Sequence, residues 1–178
     1  MSNTSQVANL STQALDLFQM GLRAADPKTA VQKFLKERLV QAPHVLAVGK
    51  AASAMMQAAL EVAEAKSALI VTNYENARDV KGAEVIVAGH PQPDQNGLQA
   101  GQRVQDLAQS LGEDECLLLL LSGGGSALLP CPIPGVSLPA KQATNNLMLG
   151  AGMPIEDINL VRQNLARLKG GGLAPGYA

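Results

Sequence analysis

Apolar positions recur at helical spacing over about Gln6 to Arg23, with Leu10, Leu15, Phe18 and Leu22 predicted to face inward. A second helical stretch, "ADPKTAVQKFLKERL", opens with Asp26 placed to cap free N–H groups and Pro27 suited to a first turn. Val31, Phe34 and Leu35 keep the helical period there. The period then changes. "HVLAVGK" is a short apolar run ending at Gly49, the pattern of a buried strand. "AASAMMQAALEVAEA" follows as an Ala/Met-rich helix, and "SALIVT" and "AEVIVAG" are β-branched strand segments. "DQNGLQAGQRVQDLAQSLG" reads as a helix ending at Gly112, with Leu98, Leu107 and Leu111 on its inner side. "ECLLLLL" is the next strand, with Cys116 opening it and expected to be buried.

Strands apolar on both faces, alternating with helices, predict an α/β layered fold with a mainly parallel sheet. Pro130, Pro132, Pro134 and Pro139 make the next stretch neither helix nor central strand. Two helices end the chain. Ser137 caps the first, and Pro154 begins the second, "PIEDINLVRQNLARLK", which the glycines at 170–172 stop.

With 178 residues, 47% hydrophobic and 16% charged, the chain is long and apolar enough for a packed core, which excludes disorder. The net charge of -1 gives no field to gather nucleic acid or an anionic membrane. Aromatics are 2% (Phe18, Phe34, Tyr74 and Tyr177), so platforms for stacking bases are scarce. Two cysteines form neither a metal spacing nor a disulfide framework, and His44 and His90 do not form a helical zinc pair. The N-terminus is polar rather than signal-like, and no apolar stretch approaches the ~20 residues a bilayer requires. The expected setting is the cytoplasm, with no nucleic-acid or membrane partner.

Ligands of parallel α/β sheets bind beyond the carboxyl ends of the strands. Three loops there carry chemistry. Ser122-Gly123-Gly124-Gly125-Ser126 is barer than a turn needs; its glycines let backbone N–H groups approach an anion, and its serines add hydroxyl donors. In Val48-Gly49-Lys50-Ala51-Ala52, Lys50 falls at a helix N-terminus, where a cation gains nothing from the dipole and is better explained by a shared anionic ligand. This is no Walker loop, since the earlier glycine is missing and alanine follows the lysine. The third loop, Gly89 to Asp94, offers His90 as a proton-exchanging group or a donor to a ligand, and Asp94 as a ligand contact or the cap of the next helix.

In the last helix, Ile158, Val161, Leu165 and Leu168 form an apolar stripe. Asn159, Arg162, Ala166 and Lys169 form a second stripe one position along, placing Arg162 and Lys169 on one face beside the core. Two cations there point to a phosphate or carboxylate. A serine hydrolase is not supported, because neither Ser122 nor Ser126 sits in a G-x-S-x-G elbow. G-x-G-x-x-G is absent after the first strand, where a dinucleotide binder needs it.

In order, "VGKAA", "VTNY", "GHPQPDQNGLQAGQRV", "LLLLLSGGGSALLPCPIPGVSL" and "LVRQNLARLKGGGLA" resemble the N-terminal domain of the glycerate 2-kinase family, some of whose members carry a hydroxypyruvate reductase name. The resemblance covers about Val7 to Ala174. It implies a three-layer Rossmann-like domain, with residues 1–178 as the N-terminal domain of a two-domain kinase whose second domain is absent here. It also implies transfer of a phosphoryl group from ATP, with Mg²⁺, to the 2-hydroxyl of D-glycerate. Carried over by position, Lys50 matches a lysine that contacts reacting groups. The Ser122–Ser126 loop would hold carboxylate or phosphate, and Arg162 and Lys169 match basic positions of a "VRKHLS-x-IKGG" block. His90 and Asp94 are weaker candidates to orient the hydroxyl. The family has serine where Ala166 stands, and often histidine at Asn164.

Family members continue well beyond "GGGLA". The chain alone is therefore expected to have little kinase activity and to self-associate through an exposed sheet edge. Two alternatives stay open: a non-catalytic anion-binding α/β fragment, and a sugar-phosphate-binding domain of isomerase type.

Overall fold

A computed structural model describes residues 3–38 and 43–174. Residues 39 and 175–178, which the readings above touch, lie outside them. Four strands, β1 (His44–Val48), β2 (Ser67–Asn73), β3 (Glu84–Ala88) and β4 (Leu117–Leu121), form one sheet in the order β3-β2-β1-β4. All three pairings are parallel, with His44 opposite Ser67 and Leu117, and Leu69 opposite Glu84. The sheet is thus wholly parallel, with helices on both faces.

One face is covered by α2 (Pro27–Lys36) and α3 (Ala52–Leu60). Val31 and Leu35 of α2 and Ala52, Met56, Ala58 and Ala59 of α3 pack on Val45, Ala47 and Ile70. The opposite face carries α4 (Gln95–Ser110) and the one-turn α5 (Gly125–Leu128). There Ala100, Val104, Leu107 and Leu128 meet Leu46, Val48, Leu69 and Val71. Asp26 caps α2 by accepting from the Thr29 N–H at 2.8 Å, and Pro27 occupies its first turn, as the sequence predicts. The buried seam of α4 is Gly97, Ala100, Gly101, Val104 and Leu107. Small residues carry it because Pro130 and Cys131 would meet any Cβ on Gly97 and Gly101 at 3.0 Å. Leu98 and Leu111 are only half-buried.

Other expectations are corrected. The first helix, α1 (Asn3–Ala24), is longer than predicted, and Leu10, Leu15, Phe18 and Leu22 are exposed rather than inward. Its apolar face has no partner among the described residues, so periodicity marked a face without identifying its cover. The leucine-rich β4 is an edge strand. Leu119 is 37% exposed and Leu121 61% exposed, and Cys116 before it is exposed too. Cys131, between two prolines, is the buried cysteine. Helix α3 ends at Leu60, short of Ala65.

Two helices complete the chain: α6 (Leu138–Gly150), capped by Ser137 through the Ala140 N–H at 3.2 Å, and α7 (Ile155–Asn164). The last helix stops five residues before Lys169. Beyond it Ala166 pairs with Pro132 in an antiparallel bridge, and the Arg167 N–H donates to Cys131 O at 2.9 Å. These bonds satisfy backbone groups that a continued helix would otherwise use. Arg162 and Lys169 therefore do not share a helical face. Ala166, assigned above to the polar stripe, is 5% exposed.

Candidate functional site

In the order β3-β2-β1-β4, the connections run one way from β1 through β2 to β3 and then return to the other side of β1. The carboxyl ends of β1 and β4 are therefore the switch point, where loops diverge and leave a crevice. The Gly49–Ala51 turn leaves β1 there, and the Ser122–Ser126 loop leaves β4. They are laced together: Lys50 N–H to Gly123 O (2.9 Å), Ala51 N–H to Ser122 Oγ (3.0 Å) and Ser122 N–H to Val48 O (2.9 Å). Gly49 makes this possible. Its φ is +119°, and a Cβ would stand 2.3 Å from Ser122 Oγ and 2.5 Å from Ser122 O. The Ser122 hydroxyl, which also donates to Val48 O at 3.3 Å, is thus committed to the scaffold.

Gly124 has φ +97° and opens α5. A Cβ here would lie 3.1 Å from His90 Cδ2 and 3.4 Å from Lys50 Cγ, so the loop, His90 and Lys50 meet at one point. Gly123 is open to solvent on its Cβ side, whereas Gly125 faces Val48 at 3.2 Å. A cavity of about 260 Å³ opens beside this point, lined among others by His90, Gly124, Ser126, Lys141, Asn145 and Arg162. The structure thus brings His90, the Gly124–Ser126 segment and Arg162 together. The exposed Lys50 stands at the loop rather than in the cavity lining. Lys169 reaches the same region from beyond α7, its ammonium donating to Ser126 Oγ.

Asp94 lies beside the cavity with both oxygens engaged. One accepts from the Gly97 N–H at 2.8 Å, capping α4, and the other from the Tyr74 hydroxyl at 2.7 Å. Burial works to raise its pKa, but hydrogen bonds from the Gly89 and Gly97 backbone and from Tyr74 outweigh that and hold it below the ordinary value. The same bond to Asp94 raises the Tyr74 hydroxyl.

Sequence reasoning missed Lys141, Asn145 and Tyr74 as parts of this region. Lys141 is 7% exposed, and its ammonium donates to Pro130 O at 2.6 Å and Leu165 O at 3.1 Å. Burial lowers its pKa to about 8; Cys131 opposes the shift and Arg162 adds to it. Burial also brings Lys169 to about 8, reinforced by Lys141 and Arg162. Asn145 Oδ1 accepts from both Nε (2.9 Å) and Nη2 of Arg162. The available signal for Lys141 was a lone cation in the otherwise uncharged α6 sequence "LPAKQATNNLMLG". Helix α6 is fastened to the 89–94 loop by Gln142 donating to Pro93 O at 2.6 Å and Gln92 donating to Asn146 Oδ1 at 3.2 Å. No helix of the described residues is long and apolar enough to cross a membrane.

A family described as "Domain of unknown function (DUF4147)" matches residues 13–178. The D-glycerate 2-kinase of Thermotoga maritima is 37% identical, over 93% of this chain and 40% of its own length. A relative from Agrobacterium vitis, which carries a hydroxypyruvate reductase name, is 38% identical over 89% of this chain and 36% of its own. The crystal structure of Thermotoga maritima glycerate kinase superposes with a TM-score of 0.88 at 35% identity, covering 94% of this chain and 42% of that one. The chain thus spans about two fifths of the length of these relatives. With its fold and nearly all its described length matched, the chain belongs to the DUF4147 family and, with these relatives, to the glycerate 2-kinase family.

Proposed function

We propose that this chain supplies the N-terminal α/β part of a glycerate 2-kinase site, which transfers a phosphoryl group from ATP to the 2-hydroxyl of D-glycerate. The observation that carries the reading is the convergence of His90, Ser126, Lys141 and Arg162 on one cavity at the switch point of the sheet, beside Lys50 and the glycine loop. Phosphoryl transfer is chiefly positioning and charge neutralisation, and cations with backbone amides supply both. In this reading Arg162 and Lys169 hold the carboxylate or phosphate, the Gly123–Gly125 backbone admits an anion closely, and Lys50 contacts the reacting group. His90 lies near enough to Gly124 to orient a ligand hydroxyl there. Asp94 acts through the loop it braces.

ATP, when bound, supplies the phosphoryl group, and the bare Gly123 together with Lys50 fits a phosphate. Magnesium enters this reading with the nucleotide: among the described residues no cluster of three or more His, Cys, Asp or Glu side chains stands ready for a metal ion, and Mg²⁺ beside ATP is held largely by phosphates and water with one or two carboxylates. Within this chain no G-x-G-x-x-G follows β1, so these residues offer a kinase reading better support than a dinucleotide-dependent one.

The test is calorimetric titration of the chain with D-glycerate and then Mg-ATP, with Lys50→Ala in parallel and product followed by phosphorus NMR. Glycerate binding that is lost in Lys50→Ala supports the reading. Binding of neither ligand, with the fold intact, overturns the assignment of a substrate site to this chain.

A further inference from the structure

Lys141 and Arg162 line the cavity, Lys169 reaches Ser126 on its wall, and among the described residues no carboxylate lines it. None of the three forms an ion pair among the described residues. Arg162 is anchored by an amide oxygen, that of Asn145, rather than by an acid, so its charge is oriented but not neutralised. Lys169 is held by the Ser126 hydroxyl, which is also neutral. Lys141 gives two of its three N–H donors to Pro130 O and Leu165 O, and the third has no partner among the described residues. Leu165 is the C-cap of α7, so the ammonium also meets the negative end of that helix.

Two carbonyls at a helix end hold an ammonium by hydrogen bonds and partial charge, but they leave its full charge without a counter-ion. Buried charge is costly unless it is paired, and like charges add to that cost. An unpaired lysine this deeply buried beside two more cations is explained by a partner that arrives from solution. We propose that Lys141 is an anion-binding residue of this cavity, closing a three-cation cradle with Arg162 and Lys169 around a ligand's carboxylate or phosphoryl group. The charge argument is independent of the kinase; which anion enters rests on the glycerate 2-kinase reading above.

Proton linkage follows. The groups facing Lys141 are Cys131 from the 130–132 segment, Arg162 from α7, Lys169 beyond it, and His90 across the cavity. An anion seated among them favours the charged lysines and raises their pKa values from about 8 towards the ordinary 10.5. Near pH 8, binding should therefore take up protons.

The experiment titrates the chain with D-glycerate, 2-phosphoglycerate and inorganic phosphate in turn, near pH 8, in two buffers of different ionisation enthalpy. The expected result is binding with net proton uptake, weakened at least about tenfold in Lys141→Met. Lys141→Arg should keep the affinity but lose its share of the uptake. Because Lys141→Met could lose the carbonyl ties and fail to fold, the wild-type Lys141 Cε resonance is followed against pH with and without saturating anion. A rise in its pKa on saturation supports the inference. An unchanged pKa, wild-type affinity in a folded Lys141→Met, or no binding of any of the three anions overturns it. If phosphate binds with uptake while both glycerate compounds do not, the anion cradle stands and the glycerate reading fails.

Discussion

Replacing Gly49 with alanine tests the joint on which the site depends. The residue sits at φ +119°, a backbone conformation that costs an L-residue about 1–3 kcal/mol. Its new Cβ would also meet Ser122 Oγ at 2.3 Å and the Ser122 carbonyl oxygen at 2.5 Å. A rotamer change moves the hydroxyl, but the carbonyl can yield only if the loop after β4 withdraws from the turn after β1. Withdrawal breaks two or three of the bonds that lace them: Lys50 N–H to Gly123 O, Ala51 N–H to Ser122 Oγ and Ser122 N–H to Val48 O. At about 1 kcal/mol each these bring the expected loss to about 3–6 kcal/mol, a large part of the stability of a typical domain. Urea unfolding followed by far-UV circular dichroism measures it, because the chain has no tryptophan to report by fluorescence. Gly21→Ala is the control: it lies in helix α1 with nothing within 4 Å of an added Cβ, and should gain up to about 1 kcal/mol. A loss below about 1 kcal/mol in Gly49→Ala would refute the claim that this contact sets the loop geometry.

At the amino-terminal end of β1 and β4, away from the site, Glu115 is drawn down to about 2 by Lys66 first, then by the Gly112 N–H and His44. Its support should be complete above the ordinary value of 4.5 and vanish as pH falls from there to about 2. Thermal unfolding against pH should show that slope flattened in Glu115→Gln; an identical slope would dismiss the network. Asp94→Ala should cost about 1 kcal/mol through loss of the α4 cap, and Asp94→Asn much less, both read by urea midpoints; equal losses would mean that the Tyr74 contact, not the cap, carries the effect. With Leu119 and Leu121 open on β4, sedimentation velocity at rising concentration should reveal self-association that Leu121→Lys suppresses. A monomer at every concentration would refute it.

The local patterns were decided by sequence. Alternating apolar runs and helical spacings specify the parallel α/β order. Asp26, Ser137 and Asp94 announce helix starts because capping is a contact within a few residues. The bare glycine loop after β4 announces a close approach for the same local reason. What a face packs against is not local. Nothing within "ECLLLLL" distinguishes a central strand from an edge one, and nothing within residues 6–23 says what covers Leu15 or Phe18. The end of α7 was decided by Pro132 and Cys131, more than thirty residues earlier in the chain, which claim the backbone of Ala166 and Arg167. The sequence shows Lys141 only as a lone cation in an otherwise uncharged stretch. Only the meeting of α6 with the 130–132 segment and the end of α7 buries it and sets its ammonium beside Arg162 and Lys169, because burial and charge proximity belong to the folded chain and not to neighbours along it.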